Sequence, residues 1–208
     1  IYIYIMKLLE LFSGTGSVGN VARDLGWNVV SLDLKNADIE CDILSWNHNI
    51  YEEGEFDFIW ASPPCTEYSI AKTTAPRNIP FANKIVQKTL KIIDDLKPTY
   101  YVLENPQTGY LKKQDFMTGI HYNDIDYCKY GMQYRKRTRL WNNIHEWIPR
   151  PLCQKDCGNI LDNKHIATAQ RMPSGKRETW GDKPHFKQHE LYIIPADLIK
   201  EIFESLQI

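Results

Sequence analysis

No apolar run in this 208-residue chain approaches the ~20 residues that crossing a bilayer requires. The opening Ile1-Tyr-Ile-Tyr-Ile5 is too short, and lacks the basic flank, for a signal peptide. Met6 followed by Lys7 offers an alternative start, which would leave residues 1–5 as upstream sequence. There is no internal repeat and no low-complexity stretch. Cysteine is sparse: five residues, an odd number without a disulfide framework, point to a reducing, intracellular compartment. A net charge of −1 excludes a surface that binds polyanions non-specifically all round. What is present is 43% hydrophobic residues, enough for one α/β domain with a small appendage.

Charge is unevenly spread. Between Asp33 and Glu67 Lys35 is the only cation, whereas from Lys129 to Pro151 six cations face a single acid, Glu146. One-sided cation runs of this kind favour an anionic partner over a merely solvated face.

The first motif is a glycine loop. Lys7–Phe12 is an apolar, strand-length run, and it leads into Ser13-Gly-Thr-Gly-Ser-Val-Gly19, a Gly-x-Gly-x-x-Gly pattern. Val18, Val21, Ala22 and Leu25 follow at helical spacing, and Gly26 stops the helix. The next strand, Trp27–Leu34, contains Asp33 near its end, nineteen positions after Gly14. Strand, glycine loop, helix, strand and acid make the first half of a nucleotide-binding unit. Glycines let backbone approach a ligand, and the Asp33 carboxylate can accept both ribose hydroxyls. Asp42, after another short strand, could accept from an adenine amino group. The pattern fits a nicotinamide enzyme, a flavoprotein or an S-adenosylmethionine enzyme, and a purely structural glycine turn shares it.

The second motif is Asp57-Phe-Ile-Trp-Ala-Ser-Pro-Pro-Cys65. Phe58–Ala61 reads as a buried strand. Pro63 and Pro64 end it, each with fixed φ and no N–H, and deliver Cys65 in a set direction. Most free cysteines are small buried hydrophobes, so Cys65 alone proves little. Thr73–Asn83 reads as a loop broken by Pro76 and Pro80, followed by a helix to Lys97 with Val86, Leu90 and Ile93 inward. Tyr100–Glu104 is the next strand and presents Glu104-Asn105 at its carboxyl end. In an alternating β/α pattern Cys65 and Glu104 should share one crevice. Short strands are expected near Asn123–Cys128 and Arg139–Ile144. From Glu146 to Glu190 no periodicity is convincing, and Pro195–Leu206 reads as a closing helix.

In this order the motifs resemble the cytosine carbon-5 methyltransferases. Leu11-Phe-Ser-Gly-Thr-Gly16 stands for the cofactor loop, Ser62-Pro-Pro-Cys65 with Tyr68-Ser69 for the nucleophile, and Glu104-Asn105 for its acidic partner. The likeness covers residues 7 to about 145 well and 191–206 loosely, and the compact length looks most like viral and phage members. It implies a Rossmann-like α/β domain over residues 1–145, a very small target-recognition region over 146–190, and a helix over 191–208 that returns to the catalytic domain. It further implies an S-adenosylmethionine-dependent transfer to carbon 5 of a flipped cytosine in double-stranded DNA. The cofactor would meet Phe12, Ser13, Gly14, Thr15, Gly16, Asp33, Leu34, Asp42 and Pro63. Cys65 would add to the ring and Glu104 would serve ring N3. Anchoring the arginine segment on Leu140-Trp141 assigns the base-gripping pair to Arg137 and Arg139. Anchoring it on Gln133 instead selects Arg135 and Arg137. With the first register, Ser69, Asn105, Arg135 and Lys136 fall to the nucleic acid.

The recognition region is unusually short, which implies a short target or a partner protein that supplies specificity. Within it Cys153, Cys157 and His165 have loosely zinc-like spacing, with no obvious fourth ligand among Cys128, His185 and His189, so free cysteines are the expectation. Competing readings are an RNA cytosine methyltransferase, an oxidoreductase, an amino-group methyltransferase and a non-catalytic DNA-binding relic. The oxidoreductase leaves Cys65 and Glu104 without purpose. The amino-group enzyme wants an aromatic residue where Cys65 stands.

Overall fold

The computed structural model describes residues 4–73, 75–169 and 186–207. His185 and most of the second half of the expected recognition region lie outside them. A seven-stranded sheet carries the chain in the order β3-β2-β1-β4-β5-β7-β6. Its strands are β1 Lys7–Leu11, β2 Asn28–Asp33, β3 Ile39–Glu40, β4 Phe58–Ala61, β5 Tyr100–Pro106, β6 Tyr122–Asp126 and β7 Arg137–Asn142. The first five in chain order pair in parallel, while β7 runs antiparallel to both β5 and β6.

Parallel strands need helical or long crossovers, and those cover both faces, so the strands are apolar on both sides. Period-two alternation then sorts them. Leu8, Phe58, Trp60 and Val102 point to the face covered by α1 (Ser17–Asp24) and α3 (Ala196–Glu204). Leu9, Leu11, Ile59 and Ala61 point to the other, where Ile92, Ile93 and Leu96 of α2 (Ile79–Leu96) pack. On the α3 side of the sheet, Phe203 stacks on Trp27 at 4.3 Å between ring centroids and meets Phe58 edge-on. Trp147 and Ala167 join that same core, so part of the expected recognition region is packed against the catalytic sheet.

Two sequence expectations shift. The loop expected to reach Asn83 ends earlier, because Pro80 lies in the first turn of α2, where no N–H is needed, and Asn78 caps it by accepting from the Phe81 N–H at 3.2 Å. The buried stripe of α2 runs through Ala82, Val86, Thr89, Ile93 and Leu96, with Leu90 only half-buried.

The strand order fixes where a ligand can sit. From β1 the chain moves outward to β2 and β3, then crosses back to place β4 on the other side of β1. The loops after β1 and β4 therefore leave the sheet in opposite directions and open a crevice at their carboxyl ends. Those two loops are the glycine loop and the Pro-Pro-Cys turn.

Candidate active site

A cavity of about 710 Å³ occupies that crevice, within the size range of small-molecule sites. The glycine loop forms one wall. Phe12, Gly14 and Gly16 all have positive φ, at 60°, 51° and 67°, which turns the chain sharply out of β1 and into α1. Gly19 serves packing instead: a Cβ there would lie 2.6 Å from Glu10 Oε2. Asp33, at the end of β2, steadies the loop by accepting from the Gly14 N–H at 2.8 Å and the Leu34 N–H at 2.6 Å. Of the expected cofactor residues, Phe12, Ser13, Gly14, Thr15, Asp33, Leu34, Asp42 and Pro63 all line this cavity. Gly16 lines a smaller neighbouring one.

The donors and acceptors suit a nucleoside-bearing amino acid. Ser13 Oγ is buried without a hydrogen-bond partner among the described residues, which leaves it for a ligand to satisfy. Carboxylates from Asp33 and Asp42 border apolar walls from Phe12, Leu34 and Ile43. S-adenosylmethionine, with a ribose, an adenine and a cationic centre, fits that donor set.

Glu10 lies beneath the loop. Its carboxylate accepts from the Val18 and Gly19 N–H groups at 3.2 and 3.0 Å, at the start of α1. Burial nevertheless dominates and raises its pKa from 4.5 to about 7. Between those values the folded protein holds a proton that the unfolded chain has released, so stability falls as pH rises and the effect is complete above pH 7. At 1.36 kcal/mol per pH unit the contribution is about 3 kcal/mol. Urea midpoints at pH 5 and pH 8 should therefore converge in Glu10→Gln relative to the unsubstituted chain; an unchanged gap would show that Glu10 is not the titrating group.

The other wall carries the candidate reactive groups. Cys65 follows β4 and Glu104 lies near the end of its parallel neighbour β5, and both face the cavity. Asn105 explains how the turn is held: it is fully buried and donates from Nδ2 to the Pro63 carbonyl at 2.9 Å. It was expected at the nucleic acid; its burial makes it a clamp on the Pro-Pro-Cys turn instead. Burial, and secondarily the charge of Glu104, push the Cys65 thiol above its ordinary value, while Lys136 pulls it down. Glu104 accepts from the buried Tyr127 hydroxyl at 3.1 Å and lies 3.7 Å from Lys136 Nζ.

The arginines are not where the sequence suggests. Glu104 is opposite Leu140 in the β5–β7 ladder, and Asn105 is opposite Arg139. Cross-strand partners share a face and neighbours along a strand do not, so Arg137 and Arg139 project from the face away from Glu104. Each is held by a carboxylate of β6: Arg137 by Asp126 at 3.0 and 2.8 Å, Arg139 by Asp124 at 2.7 and 2.9 Å. Neither lines the cavity. Lys136, expected at phosphate, takes the place by Glu104, with its Nζ 4.9 Å from the centroid of the Tyr127 ring. Arg135 is exposed, and Ser69, half-buried, accepts from the Ala71 N–H within its own turn.

Sequence reasoning missed Tyr127, for which no local signal exists, and Tyr192 and Ile194, which reach the cavity from the segment before α3. The Ile194 N–H donates to Ser17 Oγ at 3.2 Å and ties that segment to the glycine loop's helix. Cys153, Cys157 and His165 do come together, and Cys128 joins them.

Strand order, glycine loop and cavity together define a Rossmann-like, S-adenosylmethionine-dependent methyltransferase. The family model for C-5 cytosine-specific DNA methylase matches residues 6–135, more than half of the sequence. The chain belongs to that family. It is 30% identical to the "Probable DNA (cytosine-5)-methyltransferase" of Frog virus 3 (isolate Goorha) across 96% of this chain and 99% of the relative. Among solved structures it is similar to a protein of an E. coli prophage described as a DNA modification methyltransferase, at a TM-score of 0.53 and 14% identity over 71% of this chain and 52% of that one. The S. pombe Dnmt2 methyltransferase follows at a TM-score of 0.47 and 14% identity, over 66% and 48%. The chain thus spans about half the length of these solved structures.

Proposed function

We propose that the chain methylates carbon 5 of cytosine in double-stranded DNA through a covalent adduct on Cys65. One observation carries the mechanism: Cys65 and Glu104, delivered by adjacent parallel strands, face one cavity that the glycine loop also lines. Cytosine is a poor electrophile at carbon 6. The Cys65 thiolate adds there, forming the S–C6 bond and pushing the ring electrons toward N3, which takes a proton from Glu104. Lys136 supplies positive charge beside both groups as the thiol ionises. Carbon 5 is then nucleophilic. When bound against Ser13, Gly14, Asp33 and Asp42, S-adenosylmethionine supplies the electrophilic methyl group. Loss of the carbon-5 proton to water and expulsion of the Cys65 thiolate, with the N3 proton returning to Glu104, restore the ring and the acid. A paired base cannot reach a cavity this deep in the crevice, so the target cytosine is flipped out of the duplex.

Exposed Arg135 is suited to the phosphate backbone, which fixes register without reading sequence. The short stretch after Glu146 leaves little surface for bases, which favours a short target or a partner protein that supplies specificity. Five free cysteines favour a reducing compartment inside a cell.

The test is direct. The protein is incubated with S-adenosylmethionine and either DNA or RNA, the polymer is digested to nucleosides, and 5-methylated cytidines are quantified by mass spectrometry. Product on DNA is expected. Product on RNA alone would replace the substrate, and none on either would remove the enzymatic reading.

A further inference from the structure

Cys128, Cys153, Cys157 and His165 lie outside the catalytic cavity, and their ligand atoms all fall within 4.8 Å of one another. They come from three separate pieces of chain. Cys128 is in the turn that follows β6, Cys153 and Cys157 are in the loop after β7, and His165 is on β9 (Lys164–His165), which pairs with β8 (Ile160–Leu161) in a small hairpin. We propose that these four side chains form a structural zinc site that fastens the recognition segment to the catalytic sheet.

Geometry favours a metal over chance packing. A tetrahedral zinc with thiolate and imidazole ligands at about 2.3 and 2.0 Å separates sulfur from nitrogen by about 3.5 Å. Cys153 Sγ and His165 Nε2 are 3.5 Å apart. A disulfide would use two of the three sulfurs and leave the third and the imidazole unexplained, and all three cysteines are free. Three thiolates and one imidazole form a soft, closed ligand set, which selects zinc over the hard cations that take oxygen. The Cys153–Cys157 interval falls within the ligand spacing of structural zinc loops. The surroundings also suit a thiolate: the Lys155 N–H donates to Cys153 Sγ at 3.3 Å, and Lys155 itself has a φ of 71°, folding the loop back over the sulfur.

The position explains what the metal contributes. The hairpin has two residues per strand, and among the described residues of this segment the buried side chains are Trp147, Cys153 and Ala167, too few to hold a fold by burial alone. A metal–thiolate cluster replaces the missing core, because its binding energy becomes folding energy. The cluster also bears on the active site. Cys128 immediately follows Tyr127, the donor to Glu104, and the Cys153 N–H donates at 3.0 Å to Asp126, which grips Arg137. Zinc would thereby fix the Tyr127 hydroxyl beneath Glu104 from behind.

The full chain, purified under reducing conditions without chelator, is expected to carry about one zinc per molecule by elemental mass spectrometry. That zinc should be lost in Cys128→Ser and Cys157→Ser and kept in Cys41→Ser. Because loss of a ligand can also unfold the chain, the unsubstituted chain refolded with cobalt(II) provides a second reading. Tetrahedral thiolate ligation gives intense sulfur-to-cobalt charge-transfer absorption together with strong visible d–d bands. Zinc well below one equivalent after reconstitution, or a weak octahedral cobalt spectrum, would overturn the site. Full zinc in Cys128→Ser would overturn the ligand set.

Discussion

Cys65→Ser should lower methyl transfer to DNA by about 10⁴-fold or more, the scale on which losing a nucleophile acts. In the folded protein the thiol is already harder to ionise than usual, through burial first and the Glu104 charge second. Attack therefore depends on the small thiolate population that Lys136 and the bound base allow. A serine hydroxyl in the same place ionises far less readily still and has no base aimed at it. The substitution replaces sulfur by oxygen at a partly buried position, so the urea midpoint should move little, and the loss can be read as chemistry. DNA carrying 5-fluorocytosine sharpens the reading, because fluorine cannot leave carbon 5 as the proton does. The unsubstituted chain should accumulate a protein–DNA adduct that survives denaturation, and Cys65→Ser should form none. A variant that retains a tenth of the activity would move the nucleophile elsewhere and leave the fold untouched.

Glu104→Gln is expected to reduce turnover by about 10²–10⁴-fold, the range spanned by general acid catalysis. Glutamine preserves the shape and still accepts from Tyr127, but it has no proton to give to ring N3 as charge develops there. Affinity for S-adenosylmethionine should be unchanged, since the glycine loop and Asp33 form the opposite wall of the cavity. Lys136→Met tests the neighbouring cation. It should shift the pH–activity profile to higher pH, because the thiol loses the charge that lowers its pKa. Arg139→Met should act on stability rather than turnover, since Arg139 is paired with Asp124 and stacked on Tyr122, 3.5 Å from the ring centroid to the guanidinium carbon. An Arg139→Met chain that folds normally but turns over 100-fold more slowly would restore the sequence-based assignment and remove Lys136 from the role given to it here.

The parts visible in the sequence share a physical cause. β1, β4 and β5 read correctly because buried parallel strands are short apolar runs ended by turn-forming residues. The glycine loop and the Pro-Pro-Cys turn are set by φ, which Gly and Pro control locally. A linear reading starts α2 too late because it takes Pro80 as a breaker, although a first helical turn tolerates proline. The arginine segment failed for a different reason. Arg135, Lys136, Arg137 and Arg139 are interchangeable cations in a linear reading, and a slip of one residue turns every side chain to the opposite face. Only the pairing of Glu104 with Leu140 shows that Lys136 shares the face of Glu104.

By itself, then, the sequence determined the Rossmann-like class, the glycine loop with Asp33 after the next strand, and the order Cys65 before Glu104, because each rests on local backbone constraints and strand-length patterning. Tertiary structure decided which cation meets Glu104, that Asn105 clamps the Pro63 carbonyl, that Tyr127 lies beneath the acid, and that Cys128 completes a four-ligand set. Those contacts join residues between 23 and 42 positions apart. No window along the chain contains the pleat, register and loop path that bring them together.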